Sequence, residues 1–167
     1  GLTLLALSGK GHDGRANGEV RLVRFKGGKV AVRLAAGAYV DVPGVVTEEA
    51  VTTFVVAQRP SAGGDPQCRL VSAYIENNVD WKAPSWCIAL GVETTPFPPK
   101  VHMKAQGGVR TRGLRLGQEM HTGNSKFAGD IAEVLLYGRQ LSGPEMLFIR
   151  KTLEKNWGVG GAWVEAR

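Results

Sequence analysis

Val30-Ala31-Val32-Arg33-Leu34 sets a large apolar side chain at every second position, with a small and a charged residue between them. Successive side chains of a strand point to opposite faces, so this alternation makes a strand with one face for a core and one for water. Outward from it the same period returns in Val20 to Arg24, Tyr39 to Val42, Thr53 to Ala57, Arg69 to Tyr74, Trp86 to Leu90, Val101 to Lys104, Leu114 to Gly117 and Asp130 to Tyr137. Turn residues punctuate the series at Gly27-Gly28, Gly44, Pro60 to Pro66 and Gly107-Gly108. These strands are too many for one flat sheet, and the pattern predicts an all-β sandwich of two antiparallel sheets.

The period changes once, near the end of the chain. Ser142-Gly143-Pro144-Glu145 has the form of a capping box, with Ser142 as N-cap, Glu145 three residues on and proline in the first turn. Met146, Ile149, Leu153 and Trp157 then recur at helical spacing on one face, which must pack on the sandwich, and Gly158 stops the helix. Trp163 to Glu165 reads as a short returning strand.

With 167 residues the chain suits one domain over 1–167. A hydrophobic share of 43% with apolar runs of only a few residues excludes both a disordered chain and a membrane-spanning helix. Twenty-three glycines, about twice the usual share, fit a protein of many turns. The net charge of +6 comes from scattered basic residues rather than one basic stripe, which argues against nucleic acid as partner. One acid-free run, Lys100, Lys104, Arg110, Arg112 and Arg115, is either a solvated face or an anion-binding surface. Cys68 and Cys87 lack metal-site spacing, which leaves a single disulfide or two buried thiols. Gly1 in place of an initiating Met points to a piece of a larger parent protein.

Two segments carry a family resemblance. Leu7-Ser8-Gly9-Lys10-Gly11-His12-Asp13-Gly14 resembles the opening turn, and Phe127 to Tyr137 followed by Leu141-Ser142-Gly143-Pro144-Glu145 and Leu153 to Gly158 is similar to the ending, of the laminin-G-like (concanavalin A-like) lectin/glucanase superfamily in its bacterial extracellular branch. Ala38 to Gly44 and Thr53 to Ala57 resemble its intervening strand blocks. The resemblance implies a jelly-roll sandwich, a secreted or cell-surface location, a structural Ca²⁺ and a non-catalytic role in binding carbohydrate or another protein. Ala132 stands where the commonest family form has Asp.

Chemistry is sparse along the chain. Retaining glycoside cleavage needs two carboxyl groups about 5 to 5.5 Å apart, and the enzymatic branch supplies them as E-x-D-x-x-E or E-x-D-x-E, which is absent. Glu76 and Asp80 are the nearest approach, with Asn78 in the middle place, so the expectation is that the chain is not an enzyme. Nucleophile-elbow and phosphate-loop motifs are missing as well. Hard oxygen ligands for calcium are sought at Asp13 and Asp130. For a glycan, neutral or anionic, the expected site is the polar loop with Trp81 as stacking ring and Glu76, Asn78 and Asp80 as hydroxyl partners, with Arg112 added for charge. The rival reading is a structural or adhesive module that contacts other domains of its parent.

Overall fold

The computed structural model describes residues 3–4, 11–62, 65, 67–73, 86–89 and 95–160, with backbone alone at 3, 4, 26, 86 and 89. The strands are β1 (Thr3–Leu4), β2 (Gly14–Asn17), β3 (Val20–Arg24), β4 (Val30–Leu34), β5 (Tyr39–Thr47), β6 (Ala50–Arg59), β7 (Arg69–Ala73), β8 (Trp86–Ala89), β9 (Phe97–Gly107), β10 (Thr111–Leu116) and β11 (Gly129–Tyr137), followed by helix α1 (Gly143–Trp157). They form two antiparallel sheets. The six-stranded sheet runs β1-β2-β5-β10-β7-β8 and the five-stranded sheet β3-β4-β11-β6-β9. Most connections cross from one sheet to the other, which is the sandwich that the alternating pattern predicts.

Between the sheets lies a core of Leu34, Val40, Val51, Val55, Leu70, Val71, Ile88, Leu114 and Phe127 with their neighbours. The five-stranded sheet is apolar on its second face too, because α1 covers it. Phe54, Val56, Val101 and Met103 meet Leu153 there, with Met146, Ile149 and Trp157 packed alongside. That is why β6 is buried almost throughout, as expected of a strand with both faces covered. The helix starts as its sequence predicts: the Ser142 hydroxyl accepts from the Glu145 N–H, while the Glu145 carboxylate accepts from the Ser142 N–H at 2.8 Å. Gly158 closes it at φ 59°, with Val159 N–H bonded back to the Glu154 carbonyl.

Several expectations needed adjustment. The Gly-rich opening turn leads into a strand, β2. Strand β5 continues through Pro43 and Gly44 by means of an irregularity in its pairing with β10, the kind of place where proline is tolerated in a sheet. Cys68 and Cys87 are buried thiols. Cys87 sits opposite Ser72, whereas Cys68 precedes the start of β7, so the two do not meet across the ladder. Burial pushes the Cys68 thiol pKa up, and the nearby Arg59, which donates to its Sγ at 2.7 Å, works against that rise. The proposed strand from Trp163 to Glu165 lies outside the described residues. No helix among the described residues is long and apolar enough to cross a membrane.

Gly117 ends β10 at φ +87°, and a Cβ there would stand 2.3 Å from Leu34 Cδ1. Both the left-handed backbone and the contact with a buried leucine exclude a side chain. Gly117→Ala is expected to cost about 2 kcal/mol from overpacking and backbone strain together, as read from the midpoint of a urea melt.

Candidate functional site

On β5, Val40 and Val42 face the core, so Tyr39 and Asp41 face outward. The same alternation on β10 turns Leu114 and Leu116 inward and Gly113 and Arg115 outward. Register then assembles a row on the outer face of the six-stranded sheet. Asp41 is opposite Arg15 on one side and Arg115 on the other, and Tyr39 is opposite Asn17. Arg115 donates from Nε and Nη2 to the two oxygens of Asp41 at 2.7 and 3.1 Å. Its guanidinium also lies 4.0 Å from the centre of the Tyr39 ring. A bidentate ion pair and a cation–π contact on one planar group fix three side chains together.

One side of this row carries a wall. Ser72 is opposite Arg115, and its hydroxyl donates to the Gln118 carbonyl at 2.8 Å. This ties the segment after Gly117 to the sheet. The segment holds its own shape through Glu119 N–H to the Asn124 carbonyl at 3.0 Å, Gln118 Nε2 to the Gly123 carbonyl at 2.5 Å and Thr122 Oγ1 to Glu119 Oε2 at 2.6 Å. Met120 comes down over Gly113, where an added Cβ would meet its Cε at 3.8 Å. The result is a half-exposed aromatic ring, a pinned guanidinium and a carboxylate beside a short rim, with Arg15 and Asn17 on the open side.

Trp81, Asp80, Asn78 and Glu76 lie outside the described residues. Arg112 is exposed near the start of β10 and bonds Glu48 at 2.7 Å, holding that carboxyl below its usual range. The basic run does not form one surface. Lys104 donates to the Cys87 carbonyl at 3.0 Å and Lys100 sits 4.8 Å from the Phe97 ring centre, both on β9 of the five-stranded sheet, whereas Arg115 belongs to the row on the other sheet. Strand alternation and sheet membership separate side chains that are close in sequence.

The calcium expectation does not fit the donors present. Asp13 leads into β2 and Asp130 lies on β11, in different sheets. Asp130 is fully buried, accepting from Arg33 Nε and Nη2 at 2.6 and 2.9 Å and from Gln58 Nε2 at 2.6 Å. A cation would have to displace both. Among the described residues no group of three His, Cys, Asp or Glu side chains converges as a metal site.

The row of Tyr39, Asp41 and Arg115 was missed in the sequence. Its signal there is slight: a tyrosine and an acid at the outward positions of one strand, and an arginine at an outward position of another, 74 residues from Asp41.

No family model matches the chain, and no curated protein matches it. Among solved structures it is similar to a variant of exo-β-1,3-galactanase from Phanerochaete chrysosporium crystallised with β-1,3-galactotriose, at 20% identity and a TM-score of 0.37. That match covers 74% of this chain and 27% of the galactanase, so the chain spans about a quarter of that protein's length.

Proposed function

We propose that this chain is a non-catalytic carbohydrate-binding module of a secreted or cell-surface protein, in keeping with its resemblance to laminin-G-like domains. The observation that carries the reading is the Tyr39–Arg115–Asp41 arrangement. A sugar ring presents C–H groups on its faces and hydroxyls at its edge, which suits a half-exposed tyrosine ring stacked with a fixed donor and set beside a fixed acceptor. Fixing these side chains in advance lowers the entropy lost when a ligand docks. The row holds one carboxylate, Asp41, and it is committed to Arg115, whereas glycoside cleavage uses two. That chemistry supports binding rather than hydrolysis.

A glycan array probed with the purified chain tests the proposal. Tyr39→Ala is expected to weaken binding about tenfold or more, since one stacked ring contributes about 1 to 2 kcal/mol. Trp81→Ala, run in parallel, separates the loop from the sheet face. A wild-type chain that binds no glycan, neutral or acidic, would overturn the reading. It would favour the adhesive alternative, whose support is Phe148, 72% exposed beside the 43% exposed Leu147 on the outer side of α1.

A further inference from the structure

Strands β3 and β4 pair Arg21 directly with Arg33. Like charges directly opposite across an antiparallel pair are destabilising, so each arginine needs a carboxylate to offset it. They lie two residues beyond Val23 and Ala31, on the same face of the hairpin, where the apolar cluster beneath α1 gives way to polar side chains. The register extends the row across the sheet, from Arg33 to Asp130 on β11 and from Asp130 to Gln58 on β6. Asp130, 0% exposed, holds Nε and Nη2 of Arg33 in a two-point grip. The Arg33 side chain nevertheless stays 44% exposed. A buried carboxylate thus positions a guanidinium that still reaches solvent.

Arg21 is held far more loosely. Its partner, Glu19, lies at 2.5 Å with both side chains well exposed, a pair of the kind that contributes little to stability and exchanges readily. Between the two arginines opens a depression of about 220 Å³, lined also by Glu19, Leu34, Pro60 and Ser61. Its lining carries Arg21 and Arg33 and the carboxylate of Glu19, while Asp130 pairs with Arg33 through two hydrogen bonds and leaves that side chain 44% exposed. We propose that Arg21 and Arg33 hold the carboxylate of an acidic sugar in this depression, with Glu19 as the internal carboxylate that the ligand displaces. Guanidinium groups suit this task because their planar donors match the two oxygens of a carboxylate. The site lies on the five-stranded sheet and does not depend on the Tyr39 reading.

The test follows the side-chain Nε–Hε signal of Arg33 by NMR while glucuronate is added at low salt, with glucose as the neutral control. Glucuronate is expected to shift the signal saturably and glucose to leave it unmoved. Arg21→Gln should weaken glucuronate binding about tenfold, as expected for the loss of a charge-assisted partner, and Glu19→Gln should strengthen it. Arg24→Gln makes the same change in net charge at the far end of β3 and should leave binding unchanged. Equal responses to glucuronate and glucose, or equal losses in the Arg21 and Arg24 variants, would overturn the proposal. Arg33 itself is left intact in these variants because its removal would strand the buried Asp130.

Discussion

Trp157→Ala is expected to destabilise the fold by about 3 kcal/mol, the low end of the range for deleting a core aromatic, because the ring is only half-buried. The loss has three separable sources. The ring meets Phe25 edge-on at a centroid distance of 5.5 Å, it carries the Lys29 ammonium 5.0 Å from its centre, and its N–H donates to the Glu133 carboxylate. Lys29 also donates to the carbonyl of Asn156, so the last turn of α1 is bound to the β3–β4 hairpin by main chain and side chain alike. Trp157→Phe keeps the apolar contact and removes the N–H, and is expected to recover more than half of the loss. Urea melts of the two variants measure both terms. An alanine variant within about 1 kcal/mol of wild type would mean that this end of the helix contributes no net docking energy.

How far such features could be read in advance depends on the distance over which they are encoded. The helix was legible because its signals are local: the capping box lies within four residues, and Met146, Ile149, Leu153 and Trp157 repeat within one element. Strands β3, β4 and β6 were legible for the same reason, through an alternation that needs no partner to be seen. Strand β2 was not, because Arg15 and Asn17 are polar and Gly14 suggests a turn; it exists through its pairing with β5. Its outer side chains join the row on the sheet face, which arises from the pairing of β2, β5 and β10 and has no contiguous motif. Asp130 shows the same limit from the other direction. The sequence places an acid at the start of a strand, where a cation site is a reasonable expectation, but register brings Arg33 and Gln58 to it from two different strands.

Acid should weaken the fold through His102. This residue on β9 is opposite Val55, in the inter-sheet core, and packs against Phe97 at 5.4 Å between ring centres. It is 2% exposed, and among the described residues its Nε2 has no hydrogen-bond partner. Burial disfavours the charged imidazolium, and Lys100 adds repulsion, so the pKa is lowered from 6.5 to about 3. The folded protein therefore holds a neutral imidazole down to about pH 3, whereas the unfolded chain takes up a proton as pH falls through 6.5. Between those values the unfolded state binds more protons, so stability rises with pH and is lost on acidification. One unit of pKa difference corresponds to about 1.4 kcal/mol, which makes the loss from this side chain on the order of 5 kcal/mol once both states are titrated. His102→Leu removes the titration and the orphan nitrogen while keeping an apolar side chain beside Phe97. Its stability should be nearly flat relative to wild type above pH 7, and it should gain steadily on wild type as pH falls from 6.5 toward 3. Parallel stability curves for the two proteins over that window would show that His102 is protonated in the folded state, and that the edge of the core beside β9 admits charge.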